Sequence, residues 1–150
     1  MPQSFASLHF HIVFSTKNRQ QMIGAEFRDR LFEYIGGILA KNDCKLIAAG
    51  GMPDHVHLLV SVGKEISIST ALRLIKSNSS KWIHEEFPDH RDFAWQSGYG
   101  AFAVSFSNLG VVKDYVANQE EHHRKISFKD EFKSLLIRHE IEFDEQYLWD

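Results

Sequence analysis

The hydrophobic period of this chain switches between two and 3.6 residues in a set order, and that order limits the possible folds more than any other feature. Across residues 7 to 15, Leu8, Phe10, Ile12 and Phe14 alternate with His9, His11 and Val13, the period of a half-buried strand. A polar loop, Lys17-Asn18-Arg19-Gln20, follows. From Ala25 to about Asn42, Phe27, Leu31, Tyr34, Ile35, Ile38 and Leu39 fall on one stripe at helical spacing. Gly36-Gly37 weakens the helix there, and close packing on a sheet is expected to compensate. The pattern predicts a second strand from Cys44 to Ala49 and a turn over Gly50-Gly51-Met52-Pro53-Asp54. A third strand follows from His55 to Val62, and so short a connection makes the pair a hairpin.

A second helix is predicted from Ser67 or Ser69 to Phe87, with Pro88 beyond its end. Two short strand-like runs, Phe93 to Gln96 and Tyr99 to Ser105, flank Ser97-Gly98. A third helix, with Ser107 as cap candidate, is expected to run to about Arg124. A fourth, capped by Ser127, runs from Phe128 to about His139. The order is β-α-β-β-α-β and then helices. That is the split βαβ pattern of an α+β fold, a ferredoxin-like (RRM-like) antiparallel sheet with additional C-terminal helices. The first and third strands are central neighbours in such a sheet. With their aliphatic faces under the helices, His9 and His11 on one and His55 and His57 on the other point to the open side.

Length and composition exclude several classes. One hundred and fifty residues, 43% hydrophobic and 25% charged, suit a single globular domain spanning residues 1 to 150. A lone Cys44 cannot staple a secreted scaffold. Met1-Pro2-Gln3-Ser4 lacks a signal-peptide pattern, and no apolar run is long enough for a membrane helix, so a cytoplasmic protein is expected. The formal charge of -3 speaks against a nucleic-acid binder until its distribution is considered. Residues 130 to 150 carry seven acids (Asp130, Glu131, Glu140, Glu142, Asp144, Glu145, Asp150) against Lys133 and Arg138. Everything before them carries fifteen bases and thirteen acids, so the acidity belongs to the tail.

His55-Val56-His57 puts two imidazoles on one strand face, roughly 7 Å apart at Cα, where they can share a metal ion. An isolated His-x-His is more often a hydrogen-bonded structural pair. Tyr115 and Gln119 stand one helical turn apart on one face, and His122 shares it. A phenol able to attack and a carboxamide able to complete a metal shell make a compact phosphoryl-transfer set, provided this helix covers the open face. Taken alone, Tyr115 would be an ordinary packed tyrosine.

Three runs together are more specific. Gly51-Met52-Pro53-Asp54-His55-Val56-His57-Leu58-Leu59-Val60, then Trp95-Gln96-Ser97-Gly98-Tyr99-Gly100, then Tyr115-x-x-x-Gln119-x-x-His122-His123 resemble the single-tyrosine HUH transposases (His, hydrophobic, His). These are the enzymes of insertion sequences 200/605 and their REP-associated relatives. Phe10 to Arg19 is similar to their opening strand and loop. The likeness covers a core of about residues 5 to 125, and the acidic helical tail of about 127 to 150 resembles only some small members.

The resemblance implies His55, His57 and Gln119 as ligands of a divalent metal, Mg or Mn. His122 and Glu120 are alternatives to Gln119, and the His-His-Gln set suits Mn or Zn at least as well as Mg on ligand chemistry. It implies Tyr115 as the nucleophile that leaves a 5′-phosphotyrosine and a free 3′-hydroxyl on single-stranded DNA. It also implies hairpin DNA at element ends as partner, and a homodimer with active sites that the subunits can share. His9-Phe10-His11 is a neighbour of the site in this reading. For phosphate contacts the candidates are Lys17 and Arg19 in the first loop and Arg73, Lys76 and Lys81 on the second helix, with Asn78, Ser79 and Ser80 as polar donors between them. Trp95 and Tyr99 are candidates for base stacking.

Other readings remain. A non-catalytic, domesticated nucleic-acid-binding relative would share the fold. A histidine-triad hydrolase needs a third alternating histidine where Leu59 stands, and an unrelated zinc hydrolase would need a carboxylate or a third histidine nearby, for which only His9, His11 or His122 could serve. The acidic tail is expected to lie away from the DNA path or to shield it until DNA arrives.

Overall fold

In the computed structural model, which describes residues 3 to 149, β1 (His9–Ser15) and β3 (His55–Ser61) pair antiparallel. They form the centre of a four-stranded sheet of order β2-β3-β1-β4, with β2 (Lys45–Met52) and β4 (Gly100–Val104) at the edges. Met1, Pro2 and Asp150, the last of the tail acids, lie outside the described residues. The period of two sends Ile12, Phe14, Val56, Leu58 and Val60 to one face. There they meet Phe27, Leu31 and Ile35 of α1 (Ala25–Ala40) and Leu72, Ile75 and Ile83 of α2 (Ile68–Glu86). Burying side chains of this size stabilises by about 1.5–3 kcal/mol each, so this face dictates register. A slip of one residue would press His11 and His57 against the helices. Ser67 caps α2 by accepting the Thr70 N–H, and the helix ends before Phe87-Pro88.

Four local expectations change. β2 continues through Met52, with Gly50 opposite His57 and Gly51 opposite Val56, so the turn shrinks to Pro53-Asp54. Phe93 to Gln96 makes no strand. It makes a single antiparallel bridge just past the end of β1, Trp95 opposite Thr16, through Lys17 N–H to Ala94 O (2.8 Å) and Gln96 N–H to Ser15 O (3.0 Å). Its aromatic content serves the core, with Phe93 buried and Trp95 edge-on to Phe14 at 4.9 Å. The third helix is broken at Asn118 (φ −106°, ψ 39°) into α3 (Leu109–Ala117) and α4 (Gln119–His122). α3 starts after Asn108, and Ser107 lies inside a 3-10 turn instead of capping it.

The other face of the sheet is not open. α5 (Phe128–Arg138), capped by Ser127 accepting the Asp130 N–H, lays Phe128, Phe132, Leu135 and Leu136 on Val13 and Phe102. α3 packs on β2 and β3. A Cβ at Gly50 would run into the carbonyl oxygen of Val116, so glycine is what lets α3 come this near. At Gly36 a Cβ would meet Leu46 at an ordinary 3.6 Å, so the tight approach expected of α1 belongs to α3.

Candidate metal centre and tyrosine site

Antiparallel register places His57 diagonal to His11, which stands opposite Leu59, and sets His55 opposite Ser15. His11, His55 and His57 are all buried on the face under α3 and α5. His9 is half-buried at the start of β1, tilted against Phe106 at 6.4 Å, and does not join them.

Two residues that the sequence reading does not assign to the site, Glu131 and His123, complete the cluster. Glu131, in the first turn of α5, is 2% exposed and directs Oε1 at His57 Nε2 (2.9 Å), His123 Nε2 (3.0 Å) and His55 Nε2 (3.7 Å). One donor atom from each of His55, His57, His123 and Glu131 lies within 4.8 Å of all the others, a group able to hold a metal ion. Burial opposes the charge on Glu131, but hydrogen bonds from His57 and Tyr115 overcome it and hold the carboxyl down at about 2. Burial pushes His57 down to about 4, against the pull of Glu131. Burial, reinforced by His57, takes His11 to about 3. Both are therefore neutral near pH 7. Since the carboxylate only accepts, His57 Nε2–H donates to Glu131, and His57 Nδ1 accepts from His11 Nε2–H at 2.8 Å. His55 Nδ1–H donates to Asp54 at 2.7 Å; burial works against the Asp54 charge, yet this bond keeps its carboxyl below the usual range.

Tyr115 projects from α3 with its ring 5.8 Å from that of His57. Its hydroxyl donates to Glu131 Oε2 in a short bond and lies 3.1 Å from His122 Nε2. Burial first, and then the Glu131 carboxylate, push the phenol well above its ordinary range. So arranged, Tyr115 is a protonated and poor nucleophile. Gln119 is 1% exposed, and its Nε2 donates to the Tyr115 carbonyl at 3.0 Å. Among the described residues, Gln119 Oε1 and His55 Nε2 are buried without a hydrogen-bond partner. Such orphaned acceptors are costly, and a cation satisfies them, so the residues present fit a divalent metal. Glu120 instead turns outward to Arg28 at 3.3 Å.

The basic candidates are scattered. Lys17 is exposed, as are Arg73 and Lys81, whereas Arg19 lies over the Trp149 ring at 5.1 Å. The Lys76 ammonium donates to the carbonyls of Gln96, Ser97 and Gly98, and burial lowers it to about 8. Arg73, Lys76, Ser80, Trp95 and Tyr99 line one groove of about 490 Å³. Ser79 is buried, receiving the Trp95 indole N–H at 3.0 Å, so it is no surface donor.

Residues 4–119 match the family described as IS200-like transposases. The chain belongs to that family. A transposase of this family for insertion sequence element IS200 from Salmonella typhimurium is 30% identical over 125 residues, 77% of this chain and 78% of that one. The ISDra2 transposase TnpA of Deinococcus radiodurans is 26% identical over 119 residues, 76% of this chain and 85% of its own length. Among solved structures, a Deinococcus radiodurans chain described as a transposase superposes with a TM-score of 0.62 at 26% identity, covering 79% of this chain and 98% of that one. A REP-associated tyrosine transposase, solved bound to a REP hairpin, superposes at 0.61 with 15% identity over 82% of this chain and 73% of its own, which speaks to fold alone. The ferredoxin-like sheet and the transposase family expected from the sequence both hold. Membership implies a DNA-cleaving enzyme. No helix among the described residues is long and apolar enough to cross a membrane.

Proposed function

We propose that this transposase cleaves and rejoins single-stranded DNA through Tyr115, using hairpin DNA at the ends of its element as substrate. One observation carries the reading. The phenol of Tyr115 and the imidazole of His57 converge on one anion, the Glu131 carboxylate, which supports reading this point as the place where a scissile phosphate would bind. His55, His57 and Gln119 would hold a divalent ion, Mg or Mn, which when bound supplies Lewis-acid charge withdrawal from the phosphate. For DNA to enter, Glu131 and the start of α5 withdraw, which also removes the anion that, together with burial, pushes the Tyr115 phenol above its ordinary range. The Tyr115 oxygen then bonds to phosphorus, giving up its proton to water, as the bond to the 3′-oxygen breaks and that oxygen takes up a proton, leaving a 5′-phosphotyrosine and a free 3′-hydroxyl. The link retains the phosphodiester energy, so attack by another 3′-hydroxyl reverses the step and joins new ends. Arg73, Lys76 and Tyr99, which share a groove, with Lys17, Arg19 and Lys81 outside it, are the proposed DNA contacts. A homodimer would let each active site draw on both subunits.

Incubation with Mn or Mg and hairpin-bearing single-stranded DNA, resolved on a denaturing gel, is expected to give a covalent protein–DNA adduct that Tyr115→Phe abolishes. An adduct persisting in that variant removes Tyr115 from the role, and undiminished cleavage by His57→Ala removes the metal role. Hairpin binding without any adduct would favour a non-catalytic, domesticated relative.

A further inference from the structure

The imidazole pair can be completed in two ways. His55 and His57 with Gln119 make the set proposed above for cleavage. The same two histidines with His123 and Glu131 make a closed one. We propose that His55, His57, His123 and Glu131 form a four-ligand site for a zinc-like transition-metal ion, which fastens α5 across Tyr115 and holds the enzyme inactive until the ion is withdrawn. The effect on activity rests on the cleavage reading above; the binding does not.

Three imidazoles and a carboxylate are a donor set suited to zinc and poorly suited to magnesium, which prefers oxygen and keeps its waters. Tetrahedral coordination with bonds of about 2.0–2.1 Å separates ligand atoms by about 3.4 Å. Glu131 Oε1 lies 2.9, 3.0 and 3.7 Å from the Nε2 atoms of His57, His123 and His55, near that spacing, and all four ligand atoms lie within 4.8 Å of one another, so the imidazoles draw together when the ion binds.

The outer contacts are those of a metal site. Asp54 holds His55 Nδ1 at 2.7 Å, the Ile126 carbonyl holds His123 Nδ1 at 2.9 Å, and His11 holds His57 Nδ1 at 2.8 Å. Each imidazole is thus gripped from behind at Nδ1 and turns Nε2 inward, the division of labour seen when histidines ligate metals. For His57 to ligate, its hydrogen sits on Nδ1 instead of Nε2 and donates to His11 Nε2, whose own hydrogen moves to Nδ1. His55 supplies an independent sign. It is 1% exposed, its Nε2 points into the cluster, and that atom has no hydrogen-bond partner.

The placement explains the consequence. His55 and His57 belong to β3, while Glu131 is on α5 and His123 on the segment leading to it. An ion bound to all four ties that segment to the sheet. Glu131 Oε2 meanwhile keeps its bond from the Tyr115 hydroxyl, so the nucleophile is engaged and the phosphate position filled.

The test uses the full-length protein stripped with a chelator. Co²⁺ titration is expected to give the intense visible absorption of a tetrahedral ion, at one ion per chain. Competition with a chromophoric chelator should show Zn²⁺ affinity falling by about 100-fold or more in both Glu131→Gln and His123→Ala, but unchanged in Gln119→Ala. Thermal unfolding in chelator checks that each variant folds, and two substitutions on separate segments guard against a local defect in either. Wild-type Zn²⁺ affinity in both variants, or a weak octahedral Co²⁺ spectrum, overturns the site. Zn²⁺ should suppress the Mn²⁺-supported adduct in the wild type and spare it in Glu131→Gln; equal suppression overturns the lock. A wild type that forms no Tyr115 adduct with any metal refutes the cleavage reading instead, and the Co²⁺ spectrum still decides the closed site.

Discussion

Alternate residues of β1 and β3 feed two faces that differ in what holds their helices. On one, Ile12, Phe14, Val56, Leu58 and Val60 meet α1 and α2 in a continuous apolar layer. On the other, the central residues are His11, His55 and His57. The covering helix α5 is held by a short apolar stripe on Val13 and Phe102 and by the bonds of Glu131. The dry face sets the frame because each contact there is non-directional and adds to the rest. The histidine face is held by a smaller apolar cluster together with directional polar bonds to the Glu131 carboxylate. A rigid scaffold and the cover that the proposed cleavage requires to withdraw can thus come from the same strands.

The contrast can be broken at several points. Phe14→Ala on the dry face should cost about 3–5 kcal/mol in urea unfolding, with sheet and histidine cluster lost in one transition. A cost below about 1 kcal/mol would mean that the frame is set elsewhere. Next in size, Gly50→Ala should push α3 off β2. Displacing Tyr115 by about an ångström is expected to lower cleavage about 100-fold, with less loss of stability than Phe14→Ala. Unaltered cleavage would show that the approach at Val116 does not position the tyrosine. Phe132→Ala should loosen α5 by about 2 kcal/mol. That would be read as faster amide exchange in residues 128 to 138 with β1 and β3 still protected, and adduct formation should not fall. Uniformly faster exchange would instead make the two faces one cooperative unit. The smallest effect is expected from deleting residues 140 to 150, which should leave DNA affinity unchanged or slightly stronger. A clear loss in a folded truncation would place those acids on the binding side.

Several parts of this arrangement were legible in the chain. Ser67 and Ser127 announced their helices, and the alternation through His9–Ser15 and His55–Ser61 announced two central strands with histidines on one side. Phe93 to Gln96 misled, because aromatic residues anchoring a bridging segment have the composition of a strand. Gly50-Gly51 misled in the opposite sense: two glycines that look like a turn are paired strand residues, and Gly50 is needed for a helix packed against it. His123 and Glu131 went unread as site residues. A trace of Glu131 was available, since it stands inside the stripe of Phe128, Phe132, Leu135 and Leu136 where an apolar residue belongs. In the chain it stands among the tail acids, of which Asp130, Glu140, Glu142, Asp144 and Glu145 are exposed.

The sequence by itself determined the element order, the strand faces, the hairpin that presents His55 and His57, and the family. All of these depend on residues close together in the chain, or on short motifs. Only the tertiary structure decided that the histidine face is covered and that an acid from the tail meets His57 from 74 positions away. Local periodicity says which way a side chain points, but not which distant helix will dock on it. That choice is made by the combined fit of apolar stripe, glycine gap and buried charge when the chain closes on itself.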